Sequence, residues 1–262
     1  MMAISDIKDR INSRLIEIEQ ENNIKIVFAC ESGSRAWGFP SANSDYDVRF
    51  IYLRPHDWYL SIDEKRDVIE YPITDDLDIN GWDFKKALQL LRKTNPPLLE
   101  WIGSPIVYLE KPFIVDKMRQ LTRDYYSPSA CLHHYLHMAR GNFREYLQGD
   151  IVWVKKYFYV LRPILAMKWI EEGLGIAPTD FNVTLEKLKL PTELIEAVKN
   201  LLEKKRSGNE LDRGEKTPAI GKFIESELER WDHLKIPKSI VQLQDDRLDE
   251  FFRESIKGAW GD

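Results

Sequence analysis

The chain has 262 residues, of which 43% are hydrophobic and 31% are charged, and its formal net charge at pH 7 is −5. This length can bury one large core or the cores of two modest domains, and the composition excludes extended disorder. The negative balance excludes a generally basic surface, so non-specific nucleic-acid binding is not the expected activity, although a local basic site and an RNA substrate stay open.

The cysteines and the apolar content indicate a reduced, intracellular protein. Cys30 and Cys131 lie in apolar surroundings and lack metal-ligand spacing, so packed thiols are expected. The first residues contain no apolar leader, and no apolar run approaches the length of a membrane span. We therefore expect a cytoplasmic protein without membrane contact.

The first part of the chain mixes helical and strand patterns. An amphipathic helix is predicted over residues 4–21, because apolar residues recur there at helical spacing. A second helix is predicted from Asp83, as N-cap, through Leu91, and a short one follows Asn95-Pro96-Pro97. Short apolar, β-branched runs predict strands. These strands lie at residues 24–29, 45–53, 67–73, 77–82 and 105–109.

After about residue 110 the pattern becomes helical. Helices are predicted at residues 113–125, from 128 towards 149, and at 151–171, 191–204, 219–232 and 246–257. Pro163 is expected to kink the third of these, and residues 204–216 are expected to form an exposed, mobile loop. We therefore predict an α+β fold, with a small mixed-sheet domain over residues 1–110 and a helical domain over 111–262.

Two carboxylates one residue apart open the second predicted strand. Because side chains alternate across a strand, Asp45 and Asp47 are expected to project from the same face. Neighbouring carboxylates repel each other unless a cation lies between them, and Mg²⁺ takes oxygen ligands from one or two carboxylates, with water and phosphate supplying the rest. The pattern predicts a magnesium site, with Mn²⁺ as an alternative ion.

A Gly-Ser turn precedes these carboxylates and is suited to phosphate. Gly33 permits close approach of a ligand, Ser34 offers a hydroxyl, and Arg35 adds a charged donor. The following N–H groups can bind an anion if a helix starts there, and Ser44 lies directly before the carboxylates. The order predicts a triphosphate whose α-phosphorus lies near the metal. The alternative is an ordinary loop followed by a polar strand start.

This order of motifs resembles the polymerase-β nucleotidyltransferase superfamily. Three stretches further resemble its RNA-ligase-associated branch of predicted nucleotidyltransferases. They are GSRAWG at residues 33–38, NGWDFKKAL at 80–88 and KYFYVLRP at 156–163. The resemblance covers most of the chain and is weakest after about residue 175. It implies a palm-like mixed-sheet catalytic domain, a divalent metal and transfer of a nucleoside monophosphate from an NTP.

The superfamily pattern includes a third carboxylate, which lies between apolar residues on a neighbouring strand. Asp78 matches that pattern; Asp83 competes with it but is better explained as an N-cap, and Asp76 lies closer to the turn. The resemblance implies two metal ions, both bound by Asp45 and Asp47. Asp78 would complete the catalytic ion and help accept the proton of the attacking hydroxyl.

The helical half offers further candidate contacts. His133, His137, Arg140 and Arg144 flank an apolar stripe on one predicted helix, where they either meet nucleotide phosphates or form a solvated basic face. His133 and His137 are spaced for zinc on one helix face, but the sequence offers no third ligand, so a zinc site is not predicted.

The resemblance gives weight to three residues of a later helix. Lys156, Tyr159 and Arg162 are interpreted as contacts to the triphosphate or the base, with a structural role as the alternative. The helical domain is thus expected to complete the nucleotide cleft.

Taken together, these patterns predict a metal-dependent nucleotidyltransferase that uses an NTP. The acceptor is a hydroxyl group, either of an RNA end in repair or processing or of a protein in an AMP-transferring relative. The other hypothesis is a catalytically idle module that binds a nucleotide or regulates a partner. Neither the nucleotide nor the oligomeric state is specified by any pattern.

Overall fold

The computed structural model describes residues 4–41, 43–207, 212–237 and 245–261. The chain divides into two compact units. The first comprises Met1–Gly33, Asp45–Tyr126 and Val241–Asp262, and the second comprises Ser34–Ser44 and Ser127–Ile240. Within the described ranges, no helix combines the length and the apolar composition that a membrane span requires.

The first unit contains a five-stranded mixed sheet. Its strands are β1 (Lys25–Ser32), β2 (Tyr46–Leu53), β3 (Val68–Glu70), β4 (Leu77–Asp83) and β5 (Val107–Glu110). Their order across the sheet is β3-β4-β2-β1-β5. Strands β2 and β4 are parallel, and every other neighbouring pair is antiparallel. The predicted strand positions are confirmed, although β2 begins at Tyr46 and β3 has only three residues.

Helices surround this sheet and form most of the second unit. In chain order they are α1 (Ile4–Asn22), α2 (Gly33–Ala36), α3 (His56–Tyr59), α4 (Phe84–Arg92), α5 (Pro96–Ile102), α6 (Pro112–Tyr125), α7 (Pro128–Tyr146), α8 (Tyr157–Glu171), α9 (Phe181–Lys187), α10 (Thr192–Arg206), α11 (Pro218–His233) and α12 (Arg247–Trp260). Local signals explain several starts: Asn95 and Ser127 accept main-chain N–H groups as N-caps, each with a proline at the start of its helix.

The alternation of β2 gives the sheet two apolar faces. Ile51 and Leu53 point to one face, where they pack with side chains of α4, α5, α6 and α12. Val48, Phe50 and Tyr52 point to the other face and pack with apolar residues of α1. Both clusters are buried, so the sheet lies between two hydrophobic layers of the first unit.

The division into units differs from the one expected at residue 110. Helix α6 lies beyond that residue, yet Val115 and Met118 are buried in the core cluster of the sheet. Helix α12 adds Leu248 and Phe251 to the same cluster. Both helices therefore belong to the first unit, because their apolar stripes cover one face of the sheet.

Two further predictions, both in the second unit, are wrong. Residues expected to begin a helix at 151 instead form strand β6 (Ile151–Trp153), which pairs antiparallel with β7 (Arg213–Glu215). A short 3-10 turn, Val154–Lys156, follows, and the helix begins only at Tyr157. The predicted loop at 204–216 therefore contains a strand, and its residues 208–211 lie outside the described part. Pro163 does lie inside α8.

Candidate active site

Two of the predicted carboxylates are direct neighbours in the sheet. Asp47 of β2 is paired in register with Asp78 of β4, and each side chain is about a quarter exposed. A single nitrogen, Nη2 of Arg49, lies 3.1 Å from Asp47 Oδ1 and 2.8 Å from Asp78 Oδ2. The parallel pairing thus brings together two acidic groups that are distant in sequence, and one cation contacts both.

Gly33 lies directly against the Asp47 carboxylate. Its φ is +63°, and a Cβ added there would be 2.0 Å from Asp47 Oδ2. The preceding residue, Ser32, is the register partner of Asp47 in the β1–β2 ladder. The glycine is therefore required both for its left-handed backbone and for the space that the carboxylate occupies.

A buried glutamate, missed in the sequence analysis, fixes the backbone of Asp47. Glu31 is fully buried, and its Oε1 accepts a hydrogen bond of 2.9 Å from the Asp47 N–H. Its Oε2 accepts from the Tyr108 hydroxyl, and its carbonyl accepts from Ser104 Oγ at 2.6 Å. A charged residue two positions before Gly33 was the available signal, but the predicted strand ended at Ala29. In the structure β1 continues to Ser32.

The other sequence-predicted carboxylate, Asp45, has a different setting. It is exposed and lies one residue before β2, so strand alternation does not fix its direction relative to Asp47. The expectation that both carboxylates share a strand face required Asp45 to lie within the strand, and it does not.

The competitor for the third carboxylate position is a helix cap. Asp83 is buried at the end of β4; its Oδ1 accepts from the Lys85 N–H at 2.8 Å and its Oδ2 from the Tyr59 hydroxyl at 2.9 Å. Burial raises the pKa of Asp83 to about 6. The N-cap prediction is confirmed. Asp76 lies in the turn before β4 with a φ of +63°, and its carbonyl accepts from the Tyr46 N–H.

The donor chemistry of the Asp47–Asp78 pair fits a divalent cation. Mg²⁺ is commonly held by one or two carboxylates together with substrate phosphates. One cationic nitrogen already reaches an oxygen of both carboxylates, so a single position serves the two groups. No set of three or more His, Cys, Asp or Glu side chains within the described residues is arranged to hold a metal. Among the described residues, the candidate metal site therefore has two carboxylates in place, those of Asp47 and Asp78, and no third.

In the second unit, the segment after Gly33 is tied together by its own side chains. Arg35 Nη2 donates to the Ser44 carbonyl at 2.7 Å, and Ser44 Oγ accepts from the Ser41 N–H at 2.9 Å. Ser34 caps the same loop by accepting the Phe39 N–H with its carbonyl. The predicted phosphate contacts Ser34 and Arg35 lie in α2, and the Arg35 hydrogen bond ties that helix to Ser44 at the end of the same segment.

Two of the resembling stretches meet in this unit through cations and aromatic rings. The Arg162 guanidinium carbon lies 3.7 Å from the ring centroid of Trp37, and Tyr159 meets the same indole edge-on at 5.6 Å. Lys156 Nζ lies 4.3 Å from the centroids of both Tyr146 and Tyr159. Burial, and then the neighbouring Lys155, lower the pKa of Lys156. These contacts give all three predicted residues a packing role beside any contact to a nucleotide.

A buried lysine of α10 was also missed. Lys205 is 5% exposed, and its Nζ donates to the Phe39 carbonyl at 2.9 Å and lies 4.5 Å from the Phe39 ring centroid. Across the described ranges, no carboxylate lies within ion-pair distance of it. Burial, followed by Lys155, lowers the pKa of Lys205 to about 8. The signal was its spacing: Lys205 continues the apolar stripe of Val198 and Leu201.

The basic stripe on α7 is exposed to solvent. This holds for all four of its members, His133, His137, Arg140 and Arg144. Arg140 also forms an ion pair with Asp232 of α11. Their exposure is what a solvated basic face requires.

Residues 7–254 match the sequence profile of the RNA repair pathway DNA polymerase beta family. The chain belongs to this family. The expected resemblance and the α+β class, with a small mixed sheet followed by helices, are thereby confirmed. Membership of this polymerase-β-like family supports a nucleotidyltransferase.

Two further proteins are similar to this member of the family. The uncharacterized protein YcgL of Bacillus subtilis (strain 168) is 48% identical over 256 residues, which cover 97% of this chain and 98% of YcgL. A crystal structure of a nucleotidyltransferase-like protein from Exiguobacterium sibiricum 255-15 aligns with 96% of this chain and 90% of its own. Its identity is 12% and its TM-score 0.32, so that likeness carries no structural argument.

Proposed function

We propose that the protein is a divalent-metal-dependent nucleotidyltransferase that moves a nucleoside monophosphate from an NTP to a hydroxyl group, breaking the α–β phosphoanhydride bond and releasing pyrophosphate. The observation that carries the proposal is the in-register Asp47–Asp78 pair, whose oxygens already contact one cation. Gly33 supports it, because the glycine leaves the Asp47 carboxylate uncovered by a side chain. Membership of the polymerase-β family supports the class of reaction.

Each proposed residue has a chemical role. Asp47 and Asp78, with Asp45 from the start of the strand, would hold Mg²⁺ or Mn²⁺ as one or two ions. When bound, the metal neutralises charge on the attacking and leaving oxygens. An Asp78 carboxylate oxygen would also accept the proton of the acceptor hydroxyl. The Glu31 carboxylate keeps the main chain of Asp47 in place through its 2.9 Å hydrogen bond.

Contacts to the NTP are proposed in the second unit. Ser34, Arg35 and Ser44 offer hydroxyl, guanidinium and main-chain donors for phosphate. Lys156, Tyr159 and Arg162 add two cations and one phenol. The Arg162 guanidinium carbon lies 3.7 Å from the ring centroid of Trp37, and this contact would help to position the group for a phosphate oxygen.

We infer an RNA end as the acceptor, since the matching family is described as part of an RNA repair pathway. Cys30 and Cys131 are buried as reduced thiols, which suits a reducing compartment such as the cytoplasm. A protein hydroxyl that receives AMP is the second acceptor to test. The alternative of an idle nucleotide-binding module has one observation in its favour, because Arg49 already neutralises part of the charge of the carboxylate pair.

The test uses NTPs labelled at the α-phosphate. Each labelled NTP is incubated with the purified protein and Mg²⁺ or Mn²⁺, with and without total RNA. The proposal expects label in RNA that disappears in Asp47→Asn and persists in Asp83→Asn, the matched control at the other end of the same strand pair. Label on protein alone would support the protein acceptor. Tight NTP binding with no label on any acceptor would refute the enzyme and favour the idle module.

A further inference from the structure

Arg49 is held at the carboxylate pair by contacts on two sides. Its Nη2 contacts Asp47 Oδ1 and Asp78 Oδ2, while its Nη1 donates to the carbonyls of Asp78 at 2.8 Å and Val48 at 3.1 Å. Its side chain is 14% exposed, less than either carboxylate. The guanidinium is therefore fixed between the two acidic groups, and its own strand carries one of them.

The position of this guanidinium is the one that a divalent ion needs. Mg²⁺ requires oxygen ligands at about 2.0–2.1 Å, closer than the contacts that Arg49 makes to the same two oxygens. Two positive charges a few Å apart at a partly buried site repel each other strongly. Arg49 and a metal ion therefore compete for Asp47 Oδ1 and Asp78 Oδ2.

We propose that Arg49 is a built-in counter-ion that competes with the divalent metal for the Asp47–Asp78 pair and must withdraw before the metal binds. The inference rests on the proposed function, because it requires these carboxylates to be metal ligands. It makes Arg49 a positioning residue: in the metal-free protein it keeps the two carboxylates together against their mutual repulsion.

Charge favours replacement of Arg49 by a divalent metal ion at the Asp47–Asp78 pair, whereas the other contacts of Arg49 oppose it. Arg49 carries one positive charge against the two negative charges of the pair, whereas Mg²⁺ or Mn²⁺ neutralises both. Each carboxylate is about a quarter exposed, so an ion reaches the pair from solvent. The guanidinium keeps two carbonyl partners near by, which resist its withdrawal. The metal alone is therefore expected to bind weakly to the wild-type protein.

The experiment measures Mn²⁺ binding without nucleotide, by the electron paramagnetic resonance signal of the free ion. Arg49→Gln removes the charge but keeps a polar side chain for the carbonyls. Its Mn²⁺ affinity is expected to exceed that of the wild type by about tenfold or more, because a full positive charge within roughly 4 Å of the ion is removed. Arg119→Gln is the matched control, since Arg119 also contacts two carboxylates, Glu110 and Asp116, elsewhere on the first unit.

Three results separate the inference from the proposed function. Tighter Mn²⁺ binding in Arg49→Gln, unchanged binding in Arg119→Gln, and loss of the gain when Asp78→Asn is added would support competition. Equal affinity in wild type and Arg49→Gln, with binding lost in Asp78→Asn, would overturn the competition and leave the metal site standing. No Mn²⁺ binding that depends on Asp47 or Asp78 in any variant would overturn both.

A second measurement uses the wild-type protein, so it does not depend on the variant folding. An arginine-specific dicarbonyl reagent modifies exposed guanidinium groups, and mass spectrometry of the peptides gives the rate for each arginine. Adding Mn²⁺ is expected to raise the modification rate of Arg49 several-fold and to leave that of Arg119 unchanged. An Arg49 rate that stays constant or falls at saturating Mn²⁺ would contradict its withdrawal.

Discussion

The α-carbon of Gly33 and the carboxylate of Asp47 are packed so closely that no side chain fits between them. A methyl group on Gly33 would lie 2.0 Å from Asp47 Oδ2 and 2.7 Å from its Cγ. The Gly-Ser motif is thus coupled to the Asp-x-Asp motif by steric necessity, in addition to any contact that either motif makes with a ligand.

Gly33→Ala is expected to lower transfer on the order of 10²-fold by displacing Asp47. A shift of about 1 Å in a catalytic group typically lowers the rate on the order of 10²-fold. Alanine at a positive φ also destabilises the fold by about 1–2 kcal/mol. Gly149→Ala separates these effects, because Gly149 has a φ of +82° and nothing within 4 Å of the added methyl. Equal transfer rates in the two variants would show that the contact with Asp47 is unimportant.

Asp47→Asn and Asp78→Asn should each lower label transfer by about 10³-fold or more, since each removes a carboxylate from the proposed metal site. Asp45→Asn is expected to act in the same direction. Thermal unfolding should show that the fold persists in all three variants, because these side chains are partly exposed and lie outside the apolar clusters. Normal transfer by Asp47→Asn would show that the site has been assigned wrongly.

Asp83→Asn should change the pH dependence of stability and leave transfer intact. The pKa of Asp83 is raised by burial from 3.8 to about 6, so between these values the folded protein binds more protons than the unfolded chain. This residue therefore makes the free energy of unfolding fall as the pH rises from about 4 to 6. Asparagine still caps α4 but does not ionise, so the contribution disappears. Urea unfolding of both proteins between pH 4 and 7 measures it, and parallel curves would contradict the buried carboxylate.

Lys205→Met tests the buried lysine at alkaline pH. Its pKa falls from 10.5 to about 8 in the folded protein, so the unfolded chain binds more protons between these values and stability rises with pH across that window. The contribution is on the order of 2–3 kcal/mol. Methionine fills similar volume without a charge, so this rise should be missing from its unfolding curves between pH 8 and 10. If the stability of Lys205→Met rose by the same amount over this pH range, other titrating groups would be responsible for the rise.

The parts of the fold that sequence predicts are those set by neighbours along the chain. Asp83 as an N-cap follows from the residues beside it, and the apolar runs around Asp47 and Asp78 identify two strands. Their parallel register depends on how distant segments pack, so the sequence did not reveal that Arg49 would reach both carboxylates. The pattern around strand β6 predicts a helix for the same reason, since the pairing partner of this strand lies some sixty residues away.

Sequence patterns also do not predict which charged residues are buried. Glu31 lies next to a sequence that indicates a turn, and Lys205 lies in a polar stretch that predicts a loop, although its spacing also fits the apolar stripe of α10. Their burial depends on partners elsewhere in the same unit, the Tyr108 hydroxyl for one and the Phe39 carbonyl for the other. Hydrophobic periodicity does not register such partners, because it treats every charge as solvated.

The membership of α12 in the first unit has a consequence for synthesis on the ribosome. Leu248 and Phe251 belong to the same buried cluster as Val27 of the first long strand. A chain made from its N-terminus at about 5–20 residues per second cannot close this core until Leu248 and Phe251 have been synthesised. The carboxylate pair thus lies on a sheet that stays partly uncovered until α12 has been made, so nascent chains should be the forms most dependent on chaperones.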